Sequence, residues 1–476
     1  MYMRGRTVAL IVVFTVLFSS LTTAAVVGEN GLLSQVTGNG NSQGFEDDLD
    51  KLKEAYAMIK SRYIGEVKDQ KLIDGAIRGM VESLEDPYSA YMDQETAKQF
   101  HSSLESSFQG IGAEVTMKKG RVTIVSPFKE SPAEKAGLRP EDQILKVNGK
   151  SLEGMDLNEA VSEIKGKKGT KARLEVMRPG QDDILKITVV RDEIPIETVH
   201  TKMMEDKIGK IEISQFSEDT SSDFIEELEK LEKKGMEGLV IDVRGNPGGL
   251  LPAVLEISEQ LVPHEKKIMM TEDKQGNRME YKSKLEEKKD YPIVVLTDKG
   301  SASASEILAA ALKESGGYKI VGQTSFGKGT VQTAKDFDDG SNLKLTMAKW
   351  LTPKGNWIHE KGIKPDVKVK LPKYYTATPP QPEDQLKRDT NSQQVKSLQL
   401  ILEGLGYRPG RTDGYFDKKT ETAVKAFQKT NDLSVTGTVD KKTALKLQDE
   451  FVSLLREPES DLQLQVALKT LKKEMK

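Results

Sequence analysis

Between Ile208 and about Leu371 the chain repeats one pattern: a short apolar run, a loop of small residues, then helical spacing. GLVIDV (238–243) precedes the loop RGNPGG and a helical stretch from Leu251 to Gln260. PIVVLTD (292–298) precedes an alanine-rich stretch that opens in a serine cluster, and YKIVG (318–322) precedes a loop holding one lysine. NLKLTMAKWLTP (342–353) reads as a strand leading to a turn. Strand–helix units in series lay their strands side by side and cover the sheet with their helices, so this region is an α/β core.

The chain has 476 residues, which implies about two to four domains. From Phe45 to about Ser107 the pattern is helical, with Leu49, Leu52, Tyr56, Ile59 and Tyr63 at three- and four-residue steps. EDPYSAY (85–91) breaks it at a proline. From Gln109 to Asp192 strand patterns dominate around one amphipathic helix, Leu157 to Ile164, which describes a small β-barrel with a groove-side helix. Pro372 to Asp389 is a proline-bearing, semi-rigid linker. A helical module of about 60 residues follows, and then a charged amphipathic helix from Asp449 to Lys476. The expected divisions are 1–27, 28–44, 45–107, 108–193, 194–371, 372–389, 390–448 and 449–476, with no internal repeat evident.

Arg4 and Arg6 precede an apolar run from Val8 to Phe18, followed by SSLTTAA. This is the pattern of an export signal, cleaved after Ala24 or Ala25 or retained as a membrane anchor. Residues 28–44, rich in Gly, Asn, Ser and Gln, read as a tether. The expected location is outside the cytoplasmic membrane. There is no cysteine, so thiol catalysis and thiolate metal sites are excluded. The four histidines lack metal-ligand spacing. A net charge of −3 leaves no basic footprint for nucleic acid.

The chemistry concentrates between Thr297 and Gln332. Ser301, Ser303 and Ser305 stand where an apolar strand turns into a helix. A helix start offers free N–H groups where an oxyanion can form. Alanines 302, 304, 309 and 310 keep the turn open to a substrate backbone. Ser303-Ala-Ser-Glu306 also fits a capping box, a purely structural role. Lys328 lies between Gly327 and Gly329. A lysine acts as a base only where burial disfavours its charged form, and Phe326 is the side chain expected to exclude water. Gln332, four residues on, is placed to orient the amine. A hydroxyl nucleophile with an amine base suggests a serine–lysine peptidase. Gly322 to Lys328 also approaches a phosphate-binding loop, but Gly329 replaces the required Ser or Thr and a strand pattern follows.

From about Phe45 to Leu371 the chain resembles the bacterial carboxy-terminal processing (tail-specific) proteases, serine–lysine endopeptidases with an embedded PDZ domain. The motifs are DPYSAY, the PDZ segment, LVIDVRGNPGG, GSASASEILAAAL, TSFGKGTVQ and LTPKGNWIHEKGIKPD. The resemblance implies a multidomain α/β architecture: a crotonase/ClpP-like protease core, an inserted PDZ β-barrel and terminal helical regions. It selects Ser303 as nucleophile, where the residues alone left three serines open. Lys328 becomes the general base and Gln332 its orienting residue. The oxyanion hole maps onto the N–H of Ala304 and a glycine of the RGNPGG loop, Gly248. No cofactor or metal is implied. The PDZ domain is expected to capture the C-terminal tail of protein substrates, with Gly110-Ile111-Gly112 facing the terminal carboxylate. Lys165, at the end of the groove helix, is expected to relay occupancy to the active site.

Asn391 to Leu447 resembles a peptidoglycan-binding type 1 domain, through QQVKSLQLILEGLGY, TDGYFDKKTETAVKAFQK and TGTVDKKTALKL. Peptidoglycan is the ligand this implies, and a module retained for assembly is the alternative. A homodimer through the terminal helices is expected. The function expected is an extracytoplasmic serine endopeptidase acting on protein tails, in regulatory processing of a membrane or envelope protein. The alternatives are an idle PDZ scaffold at the wall and a peptidoglycan hydrolase, the latter without paired carboxylates or metal ligands to support it.

Overall fold

The computed structural model describes residues 42–475, apart from 119, 180, 182, 383–384 and 457–459. The expected signal or anchor (1–27) and nearly all of the tether (28–44) lie outside the described residues. Among the described residues no helix is long and apolar enough to cross a membrane. Two units are distinguished, Met1–Tyr91 and Met92–Lys476.

In the first unit, α1 (Ser42–Arg62) and α2 (Asp69–Glu82) are linked by Tyr56 and Lys60, which both donate to Asp69. Leu52, Tyr56 and Ile59 share one stripe of α1 and, with Leu72, Ile73 and Ala76 of α2, line an apolar groove. Leu52, Ile59 and Ile73 remain 48%, 42% and 47% exposed.

The second unit begins with α3 (Gln94–Leu104), capped by Asp93, which accepts from Thr96 N at 3.0 Å. Strand β1 (Ser107–Gly110) then leads into an antiparallel sheet of β2 (Ala113–Lys118), β3 (Arg121–Pro127), β4 (Gln143–Val147), β5 (Lys171–Met177) and β6 (Leu185–Val190). They lie in that order, leaving β2 at an edge. Helix α4 (Leu157–Ile164) starts from a capping box between Asp156 and Glu159. It packs Ala160 and Ile164 against Ile111, Ile124, Ile144 and Val189. Strand β7 (Asp192–Pro195) returns to pair antiparallel with β1.

The next sheet has the order β8 (Val199–Met203), β9 (Ile208–Ile213), β10 (Gly238–Asp242), β13 (Ile293–Thr297), β14 (Lys319–Gly322) and β17 (Val367–Lys368). Only the β8–β9 pair is antiparallel. Strands with apolar residues at every position need cover on both faces. Ile211, Leu239, Ile241, Ile293, Val295 and Ile320 face α5 (Thr220–Lys233), α6 (Leu251–Glu259) and α7 (Ala304–Ala311). The alternate residues Ile208, Val240, Val294, Leu296 and Val321 meet Leu464, Ala467 and Leu471 of α11 (Leu462–Glu474). The second cover therefore comes from the far end of the chain. Beside this sheet, β15 (Thr330–Asp336), β16 (Asn342–Leu351), β11 (Lys267–Asp273) and β12 (Arg278–Lys282) pair antiparallel in that order.

Helices α8 (Gln393–Gly404), α9 (Lys418–Thr430) and α10 (Lys441–Arg456) share a core of Leu398, Ile401, Phe416, Phe427, Leu447 and Phe451. The boundary expected at 448 falls inside the continuous α10. A short repeat absent from the expected organisation emerges here. Buried Gln399 accepts from Gly414 N at 2.9 Å, and buried Gln428 accepts from Gly437 N at 2.8 Å. Asp417 and Asp440 then cap the helices that follow. The sequence carries the device as Gly-x-x-Asp-Lys-Lys-Thr at 414–420 and again at 437–443, too short a match to stand out without the structure.

Candidate active site

The site is built from two loops leaving adjacent parallel strands and one loop after β14. After β10, the loop Arg244–Gly249 turns on buried Asn246. Its amide nitrogen donates to the Ile213 carbonyl at 2.8 Å, and its Oδ1 accepts from Gly248 N at 2.8 Å. The Asn246 carbonyl accepts from Ala302 N and Ser305 Oγ, both at 3.0 Å, which joins this loop to the serine turn. After β13, Asp298 Oδ1 accepts from Gly245 N and Gly300 N, both at 2.9 Å.

Burial separates the three serines. Ser301 and Ser305 are fully buried, and their hydroxyls donate to the Val243 and Asn246 carbonyls at 2.8 and 3.0 Å. Ser303 is half-buried and lines a cleft of about 440 Å³. Its φ of 54° with ψ of −113° lies where a residue with a side chain is strained, at a cost of about 1–3 kcal/mol. The capping box closes, with Glu306 Oε2 accepting from Ser303 N at 2.9 Å. Ala304, buried, opens α7 beside it.

Glu306 does more than cap. Fully buried, it also accepts from Lys328 N at 2.8 Å through Oε2, and from Gly327 N at 2.7 Å and Ser325 Oγ at 2.6 Å through Oε1. One side chain thus ties the serine turn to the lysine loop. From the other side, Trp350 Nε1 donates to the Lys328 carbonyl at 2.7 Å and Trp357 Nε1 to the Gly329 carbonyl at 2.8 Å. Gly329 is required here, because a Cβ would stand 2.7 Å from His359 N. A strand, β15, follows the loop in place of a phosphate-loop helix.

Lys328 and Gln332 line the same cleft as Ser303. Gln332 sits at a β-bulge in β15, its amide nitrogen 2.9 Å from Thr330 Oγ1 and 3.2 Å from Thr346 Oγ1. Phe326, expected to shield the amine, is instead 57% exposed and off the cleft wall. Trp350 takes that place, with Leu250, Ile307 and Val331. Phe100, His101 and Leu104 of α3 complete the wall. His101 Nε2 lies 2.8 Å from Asp336 Oδ1. Hydrogen bonds from Asn342 and then His101 hold the Asp336 carboxyl below its usual range.

Gly248 packs against the serine turn, where a Cβ would lie 2.8 Å from both Ser303 Cβ and the Ala302 carbonyl oxygen. Its N–H is directed to Asn246, and its neighbours Pro247 and Gly249 line the cleft. In the small sheet domain, Ile111 is buried, while Gly110 packs against Phe108 and the Lys165 stem. Gly112 has φ 76° and a carbonyl that accepts from Phe128 N at 2.9 Å. The Lys165 ammonium lies 5.1 Å over the Phe108 ring.

Comparison with known proteins identifies the family. Residues 207–369 match peptidase family S41, and the chain is 52% identical over 426 residues to carboxy-terminal processing protease CtpB of Bacillus subtilis strain 168, 89% of each chain. The chain belongs to the carboxy-terminal processing proteases. It is 46% identical over 465 residues, 98% of each chain, to carboxy-terminal processing protease CtpA of the same organism. This serine carboxy-terminal processing peptidase also matches a PDZ domain at 123–178 and a peptidoglycan binding domain at 391–447. Residues 16–96 match the N-terminal domain of the activating protease CtpB. Among solved structures, the photosystem II D1 C-terminal processing protease is 30% identical, covering 67% of this chain and 86% of its own, with a TM-score of 0.42.

The sequence missed Glu306 as more than a cap, and it missed Asn246, Trp350 and the α3 wall. Asn246 was visible only as a turn residue, and nothing local to 94–104 signals that it faces residues more than 200 positions away.

Proposed function

We propose that the chain is an extracytoplasmic endopeptidase that uses Ser303, Lys328 and Gln332 on protein substrates captured by their C-terminal tails. Ser303 Oγ attacks the scissile carbonyl carbon while the Lys328 amine takes its proton. The Gln332 amide nitrogen is held by two threonines, which leaves its oxygen as the end that orients the amine. The tetrahedral oxyanion is received at the start of α7 by Ala304 N–H and by the glycine loop. For Gly248 to donate, its N–H exchanges Asn246 for the oxyanion. Collapse releases the amine product with the proton from Lys328, and water hydrolyses the acyl-enzyme. The observation that carries this reading is the strained Ser303 sharing one cleft with Lys328 and Gln332.

The tail adds as a strand along the free edge of β2, with its carboxylate at Gly110-Ile111-Gly112, and Lys165 relays occupancy. The C-terminal module binds peptidoglycan and keeps the enzyme at the wall. The apolar groove of α1 and α2 pairs with a second copy to form a homodimer, since a face this apolar is otherwise a liability in water.

The test incubates the purified enzyme with an unfolded protein beside Ser303→Ala and Lys328→Ala. Loss of peptide products in both supports the assignment, while unchanged proteolysis in either discards it. With an amine base, activity rises with pH over roughly 5 to 9, and a flat profile counts against Lys328. Digestion of purified wall by the wild type would favour a peptidoglycan hydrolase instead.

A further inference from the structure

Arg244 opens the glycine loop, four positions before Gly248, and its guanidinium is held on two edges. Nε and Nη2 donate to Asp242 Oδ1 and Oδ2 at 2.8 and 2.7 Å. Nη1 and Nη2 donate to Asp461 Oδ1 and Oδ2 at 2.8 and 2.7 Å, and Gln463 Oε1 lies 3.2 Å from Nη1. Asp242 belongs to the sheet beneath the loop, where Lys210 Nζ also reaches its Oδ2 at 3.2 Å. Asp461 and Gln463 belong to the beginning of α11, which Asp461 caps by accepting from Leu464 N at 3.0 Å. A bidentate arginine–carboxylate pair fixes direction as well as distance. This one is mostly shielded from water, with the Arg244 side chain 19% and that of Asp461 22% exposed.

We propose that Asp461 is a positioning residue for catalysis: through Arg244 it sets the glycine loop against Ser303, so that turnover depends on the helix that follows the wall-binding module. Asn246 and Asp298 tie the loop to the serine turn and the sheet, and Arg244 adds, at its first residue, a grip that comes from α11. Gly245, Gly248 and Gly249 all adopt positive φ, and a glycine backbone resists displacement weakly. Gly248 is close enough to Ser303 that no Cβ fits between them, and a shift of about 1 Å at such a point costs on the order of 100-fold in rate. Asp461 lies only five positions after Arg456, the end of α10, so the residue that grips the glycine loop follows the C-terminal module closely along the chain.

This inference rests on the serine–lysine reading. Asp461→Asn tests it, because asparagine keeps the helix cap but loses the charged, two-oxygen grip on Arg244. Glu474→Gln is the control. It removes an ion pair with Lys319 (2.7 Å) that also docks α11 but at its other end. The assays are peptide hydrolysis and the rate of Ser303 labelling by a fluorophosphonate, normalised to folded protein from thermal melts. Asp461→Asn is expected to lower kcat and labelling about tenfold with KM within about twofold, the size of a modest coupling between sites. Glu474→Gln is expected to leave both rates unchanged. Wild-type kcat and labelling in Asp461→Asn overturn the proposal, as does an equal loss in both variants, which would mean that docking of α11 alone matters. Cleavage by Ser303→Ala would sink the serine–lysine reading instead, so the two failures are distinguishable.

Discussion

Replacing Glu306 by glutamine changes no volume and tests the tie between the serine turn and the lysine loop. The carboxylate accepts four hydrogen bonds, from Ser303 N, Lys328 N, Gly327 N and Ser325 Oγ. An amide keeps one oxygen and turns an NH2 toward the other pair of donors. Turned toward Ser303 and Lys328, it opposes two backbone N–H groups. Turned the other way, it opposes Gly327 N and a Ser325 hydroxyl that already accepts from Ile363 N at 2.6 Å. Either way about two buried donors lose their partner, at about 1–3 kcal/mol each. The expected destabilisation is about 2–5 kcal/mol, or roughly 5–15 °C in the melting of a domain this size. Because the same bonds set the spacing of Ser303 and Lys328, kcat should also fall about 100-fold. Calorimetry and peptide hydrolysis on one preparation check both. A variant that melts within about 2 °C of wild type and keeps a third of its kcat would refute the reasoning. Glu306→Ala strands all four donors, a loss comparable to the whole stability of a domain, and should not yield folded enzyme.

Three further outcomes are expected. Gly248→Ala, strained at φ 104° and crowding Ser303 Cβ, should leave the fold intact and lower kcat about 100-fold, the size of a lost oxyanion donor; activity near wild type would clear Gly248. Lys165→Ala should leave basal cleavage unchanged and abolish stimulation by a tail peptide, and a variant still stimulated would end the relay. Burial opposes ionisation of Asp242, but hydrogen bonds and charge from Arg244, with Lys210, outweigh it and hold the carboxyl below its ordinary 3.8. Its stabilising contribution is therefore present above that value and lost as pH falls through the depressed one. Melts across the range below about pH 4 should steepen for wild type and flatten for Asp242→Asn; identical slopes would refute it.

Much of this protein was readable from the chain because its constraints are local. Apolar runs with no polar alternation, such as LVID and IVVL, demand a sheet covered on both faces. Capping residues such as Asp156 and Asp417 mark helix starts, and the run from Gly300 to Gln332 holds Ser303, Lys328 and Gln332, which line one cleft, within one stretch. What tertiary structure decided has a common cause: each feature depends on residues far apart in sequence whose types are ordinary. Ser301 and Ser305 differ from Ser303 only through the carbonyls of Val243 and Asn246 that bury their hydroxyls. Glu306 reads as a cap until the lysine loop folds onto it. The aromatic that lines the cleft with Lys328 is Trp350 on a neighbouring strand rather than the adjacent Phe326. The second face of the catalytic sheet is closed by Leu464, Ala467 and Leu471, which in sequence are only the apolar side of a charged helix. Periodicity states that a face must be buried; only packing chooses what buries it.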